Sequence, residues 1–124
     1  MAVTIVRPVR PSPQWQDTLI RLRRGQRVVV DVEGTWSPDM RDQVLWCGAD
    51  GVHRLPAAAD YLMPGTNVGA VVGRIGTGSP FAVGSRHDFV AEADGVLLLA
   101  MNESAARNCQ AGLVTACVIV FDEP

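Results

Sequence analysis

The chain has 124 residues, a formal net charge of −2, and 48% apolar against 19% charged residues, which is expected of one soluble globular domain spanning 1–124. That charge balance gives no field to draw nucleic acid or an anionic membrane surface, and no apolar run approaches the ~20 residues that cross a bilayer. The opening MAVTIVRPVRPSP lacks a charged segment followed by a long apolar core, so no Sec signal peptide is read there; cytoplasmic residence and a non-Sec export route both stay open.

The predicted elements are strands and turns from end to end. VTIV at 3–6 is short and β-branched and runs into Pro8, Pro11 and Pro13. DTLIRLRRGQRVVVDVEG at 17–34 reads as a hairpin, with Leu19, Arg21 and Arg23 alternating against Ile20 and Leu22, and a turn at Gly25-Gln26. Arg21, Arg23, Arg24 and Arg27 form the one basic cluster and read as a solvated hairpin end. Residues 34–67 are a long irregular region; a connection of that length is usually functional. AAAD at 57–60 allows at most one helical turn.

Strands resume at 69–75 and 81–83. The glycines between them, Gly69, Gly73, Gly76 and Gly78, match neither G-x-G-x-x-G nor a P-loop, and no Lys-Ser/Thr follows, so a phosphate cradle is not read there. A strand to about Val90, a turn at Asp94-Gly95, a strand at 96–101, a polar loop at 102–111 and a last strand at 112–121 complete the chain. About eight short strands at this spacing predict an all-β fold, an antiparallel β-sandwich or jelly roll. The last strand reads as apolar on both faces: Leu113, Thr115, Cys117, Ile119 and Phe121 on one, Val114, Ala116, Val118 and Val120 on the other. A dry second face requires cover, from a neighbouring loop or a second subunit; of the two, a homo-oligomer through this C-terminal strand is expected.

The residues that carry chemistry are few. Cys47, Cys109 and Cys117 have no C-x-x-C spacing, which excludes the usual zinc motifs. Cys117, inside an apolar run, reads as a core thiol. Cys47 and His53 are the nearest nucleophile and base in sequence, but no third group or oxyanion signature accompanies them; His87 and Asp88 point to opposite faces of one strand. A non-catalytic protein is expected. Trp36 reads as core, and Trp15 as packing on the sandwich edge.

An ordered series of segments, GQRVVVDVEGTW (25–36), WCGADG (46–51), YLMPGTNVGAVVGRIG (61–76), PFAVG (80–84), ADGVLLLAMNE (93–103) and AGLVTACVIV (111–120), resembles the galactophilic lectin family typified by LecA over nearly the whole chain. The resemblance implies a jelly-roll-like β-sandwich that binds terminal galactose through a calcium ion. Calcium takes six to eight oxygen donors, and a vicinal diol supplies two. Carried over by motif, the ion's ligands fall on the Pro38 carbonyl, Asn102 and Glu103, with the late pair at Cys109-Gln110, or at Asn108-Cys109 if the loop gap is placed differently. A thiol is a poor calcium donor. Asp39, Asp42 and Asp50 are possible compensating acids.

The sugar contacts implied are Trp46, His53, Pro56, Asn102 and Asn108. Leu55-Pro56 stands where the family has His-Pro, with His53 offset. Each of these positions has a plainer reading. Glu103 is either a ligand or a solvated acid, Asn102 a ligand or a turn cap, and Trp46 a sugar platform or a buried anchor for the long loop. In the family the loops of Cys47 and Cys109 both border the ion site, so a disulfide between them is one reading and two free thiols the other. The function expected is a carbohydrate-binding lectin; the alternative is a lectin-fold module without calcium or sugar that serves assembly or partner recognition.

Overall fold

A computed structural model describes residues 1–41 and 44–122. Among the described residues there are eight strands: β1 (Ala2–Val9), β2 (Gln16–Leu22), β3 (Arg27–Ser37), β4 (Val71–Ile75), β5 (Phe81–Ala82), β6 (Arg86–Val90), β7 (Gly95–Met101) and β8 (Ala111–Phe121). They form two antiparallel four-stranded sheets, ordered β1-β8-β3-β6 and β2-β7-β4-β5. The all-β sandwich is the expected fold class.

Period-two alternation explains which faces meet. Val28, Val30, Val32 and Trp36 of β3 and Val114, Ala116, Val118 and Val120 of β8 point inward from the first sheet. Ile20 and Leu22 of β2, Leu97, Leu99 and Met101 of β7, and Val71 and Ile75 of β4 oppose them from the second. These side chains form one buried cluster between the layers.

The segment 17–34 is not a hairpin. β2 pairs with β7, and β3 pairs with β6 and β8, so the turn at Arg23–Gln26 carries the chain from one sheet to the other. Both segments alternate correctly; alternation fixes a buried face but not a pairing partner. Leu19 breaks the β2 register as a bulge, with φ of 61° and 78% exposure, and its N–H donates to Asp17 Oδ1 at 2.7 Å. β1 runs past Pro8, which an edge strand tolerates. No helical turn forms at 57–60; Ala57 is buried in a turn region instead.

The second face of β8 is dressed in part by its own sheet. Ion pairs Arg27–Asp88 at 2.7 Å and Arg86–Asp31 at 2.8 Å flank Val29, and the Arg27 guanidinium lies 4.9 Å over the Phe121 ring. Cys117 belongs to this outer face and not to the core, because the buried set of β8 is the even-numbered one. Leu113 and, on β1, Val6 remain about half exposed. Trp15 meets the second sheet, with the Arg74 guanidinium 5.0 Å over its ring.

Candidate functional site

Antiparallel pairing brings four strand ends to one end of the sandwich. The end of β3 meets the start of β8, and the end of β7 meets the start of β4. The long 38–70 connection folds over this end and is pinned there by backbone. Trp36 and Cys47 exchange hydrogen bonds at 3.0 and 2.9 Å, and isolated bridges join Asp50 to Ala70, Pro56 to Asn67 and Tyr61 to Ser104. Two side chains hold it from below. Trp36, fully buried, donates its indole N–H to the Gly69 carbonyl at 2.7 Å. Gly69 adopts φ of 85°, and a Cβ there would lie 3.1 Å from Cys47 Sγ, so the close approach needs glycine.

The second holding residue is Asn102, immediately after β7 and fully buried. Its Oδ1 accepts from the Met63 N–H at 2.8 Å. Its amide hydrogens are shared among the carbonyls of Met63, Thr66 and Asn67 at 3.0–3.2 Å. The side chain therefore closes the 63–67 turn, in keeping with the turn-capping reading of this residue.

Between these loops lies a cavity of about 260 Å³, lined by Pro38, Asp39, Leu45, Leu55, Pro56, Ala58, Tyr61, Val68, Glu103 and Arg107. Glu103 is 2% exposed, and its Oε1 accepts from the Ser104 N–H at 2.9 Å. Tyr61, Gln110 and the Arg107 charge also act on its carboxylate. Burial raises the Glu103 carboxyl above the usual carboxylate range; the hydrogen bonds and Arg107 oppose that only in part. Burial and the nearby Glu103 charge raise the Tyr61 hydroxyl in turn. Arg107 Nη1 stands 3.5 Å from Asp39 Oδ2. Cys109 donates its S–H to Asp39 Oδ1 at 3.3 Å, and Ser104 Oγ donates to Asp60 Oδ2 at 2.8 Å.

The structure brings Pro38, Pro56 and Glu103 of the anticipated set to this cavity. Gln110 borders it through Glu103, while its Nε2 donates to the Arg107 carbonyl at 3.1 Å. Asn108 is exposed and accepts from Arg41 at 3.4 Å. His53 is exposed and outside the lining. Trp46 is no buried anchor: it is 53% exposed and sits against Gly112, where a Cβ would lie 2.7 Å from Trp36 Cα and 3.0 Å from Trp46 Cζ3. Asp50 is occupied by Ser85, accepting its N–H at 2.7 Å and its hydroxyl at 3.1 Å; Asp42 lies outside the described residues.

All three cysteines are free thiols. Burial pushes the Cys47 thiol up to about 11, which leaves it protonated at neutral pH. Tyr61 and Arg107 were not singled out from sequence. The signal available was that Tyr61 is the only tyrosine of the chain and Arg107 the only cation of the 102–111 loop.

This donor set does not fit a calcium ion. The amide oxygen of Asn102 is committed to backbone, Asn108 faces Arg41, and the cavity already contains a guanidinium. Among the described residues no group of three or more His, Cys, Asp and Glu side chains could hold a metal.

A larger cavity of about 410 Å³ opens beside β5 and β6, lined by Phe81, His87 and Phe89 with Glu92. Its rings spend faces on one another: His87 stacks on Phe89 at 4.7 Å, and Phe81 tilts against both. It gathers fewer convergent polar groups than the smaller cavity, which is the better candidate site.

No family model matches this sequence, and no curated protein matches it. Among solved structures the chain is similar to one described as "EclA N-terminal domain; PllA-like lectin", with a TM-score of 0.73 and 15% identity over 94% of this chain and 95% of that one. At that identity the likeness is one of fold: the chain has the β-sandwich of a PllA-like lectin.

Proposed function

We propose that this protein is a non-catalytic carbohydrate-binding lectin that holds a terminal galactose, or a related neutral glycan, in the cavity between Pro38 and Arg107. The observation that carries the reading is the composition of that cavity. Asp39, Tyr61, Glu103 and Arg107 present hydrogen-bonding groups, while Leu45, Leu55, Pro56 and Val68 present apolar surface. A pyranose has the same mixture, with hydroxyls at its edges and C–H groups on its faces. At about 260 Å³ the cavity falls below the ~300–1,000 Å³ of drug-sized pockets, and suits one sugar ring better than an extended chain. The likeness in fold to a PllA-like lectin, and the resemblance of the ordered segments to galactophilic lectins, support the same reading.

Glu103 is the acceptor around which a sugar's hydroxyls would be arranged. Glu103→Gln keeps the shape and removes the charge. A hydrogen bond to a charged acceptor contributes roughly 1.5–3 kcal/mol, so galactose affinity is expected to fall about tenfold or more. Calorimetry on both proteins, guided by a glycan array of the unmodified protein, measures this. Equal affinities would remove Glu103 from the site. Silence across the array would favour the alternative, a lectin-fold module that serves assembly or partner recognition.

A further inference from the structure

We propose that Arg107 is the built-in cation of this cavity: its guanidinium stands beside the Asp39 carboxylate in a cavity that Glu103 also lines, supplies the positive charge that the resemblance assigns to calcium, and makes sugar binding independent of any metal. The identity of the ligand rests on the lectin reading above; the role of the arginine does not.

Three observations converge. Arg107 lines the cavity together with both acids. Its Nη1 lies 3.5 Å from Asp39 Oδ2, and that carboxylate is 13% exposed while the arginine is 45% exposed. Glu103 is 2% exposed, and the Arg107 charge acts on its carboxylate. Two largely buried carboxylates lining one cavity repel and are costly to bury unless a cation stands with them. In a calcium lectin that cation is the ion, and it also takes the sugar's vicinal hydroxyls as ligands. A guanidinium offers five N–H donors in a planar fork. It can neutralise the acids and still donate to a diol, whose own O–H groups donate to Glu103 or Asp39. The Asn102 geometry agrees: an amide no longer needed by an ion is free to close the 63–67 turn.

Among the described residues, the charged and titratable groups around this point include Asp39 and Arg41 after β3, Asp60 and Tyr61 of the long connection, and Glu103, Arg107 and Cys109 of the last loop. The sugar adds no charge, so the test uses none. Thermal melts of the full chain in EDTA compare the unmodified protein with Arg107→Met, which keeps length but not charge, and Arg107→Lys, which keeps charge but not the fork. The methionine variant is expected to melt at least ~2 °C lower, and the lysine variant to regain most of that loss. Millimolar calcium is expected to leave the unmodified protein's midpoint where it is, since a ligand raises the midpoint only if it binds the folded state. Equal losses in both variants, or no loss in either, would overturn the proposal, because the charge would then do nothing. So would a calcium-dependent rise in the unmodified protein. A chain that binds no glycan but passes these melts retains Arg107 as the cation and loses only the lectin reading.

Discussion

Asn102→Asp is expected to destabilise the fold more than Asn102→Ala does. The alanine variant strips partners from the Met63 N–H and from the carbonyls of Met63, Thr66 and Asn67. Each buried polar group left without a partner costs about 1–3 kcal/mol, and some of these reach water when the turn opens, so a loss of about 3 kcal/mol is expected. The aspartate variant has the same shape but turns a carboxylate oxygen towards three carbonyl oxygens in a fully buried position, and adds at least ~1 kcal/mol to the loss. Urea unfolding of both variants provides the comparison. The result separates two roles for one residue. A calcium ligand would become stronger as aspartate, and the Asp variant would then be rescued by the ion. A residue that ties a turn through its amide hydrogens has no use for the charge.

Trp36→Ala is expected to cost about 3–5 kcal/mol, the range for deleting a buried aromatic side chain. Trp36 is fully buried at the end of β3, and its indole holds the Gly69 carbonyl that opens into β4. Trp36→Phe refills part of the volume and still leaves that carbonyl without its donor, so it retains a loss of about 1–3 kcal/mol. If the phenylalanine variant matched the native protein, packing alone would account for Trp36, and the indole hydrogen bond would be without weight. The two sites share a neighbour, since the Gly69 N–H donates to the Asn102 carbonyl at 2.9 Å. Trp36→Ala and Asn102→Ala together should therefore cost less than their separate losses added, because either one already loosens the same loop.

The sandwich was readable because its cause is local. Alternation in β3, β7 and β8 shows which residues point inward, and glycine and proline mark where strands stop. The strand, turn and strand of 71–82 were legible in the same way. Pairing was not. β2 and β3 look like a hairpin because a short turn joins them, yet each completes a different sheet through strands more than fifty residues away. Ile20 and Leu22 instead join Val28 and Val30 in the one buried cluster between the layers.

The site shows the same division. Pro38 and Glu103 reach the cavity because they follow the ends of β3 and β7, and strand order along the chain was legible; Pro56 is brought there by its bridge to Asn67. Whether Asn102 turns towards the cavity or towards 63–67 depends on carbonyls contributed by a distant loop, which its own neighbours in sequence do not reveal. Tyr61 and Arg107 converge on Glu103 from segments more than forty residues apart, joined by the bridge between Tyr61 and Ser104, the Ser104–Asp60 hydrogen bond and the Asn102 bonds to 63–67. Nothing in either segment announces the other.

The central claim is that the cavity at the loop end holds a neutral sugar without a metal. Titrating galactose into the isotopically labelled protein in EDTA, and following backbone amide shifts, tests it most directly. The account predicts saturable shifts grouped at Asp39, Leu55–Tyr61 and Glu103–Arg107, unchanged when calcium is added. Shifts that arise only with calcium, that fall at Phe81, His87 and Phe89 instead, or that do not occur at all would contradict it.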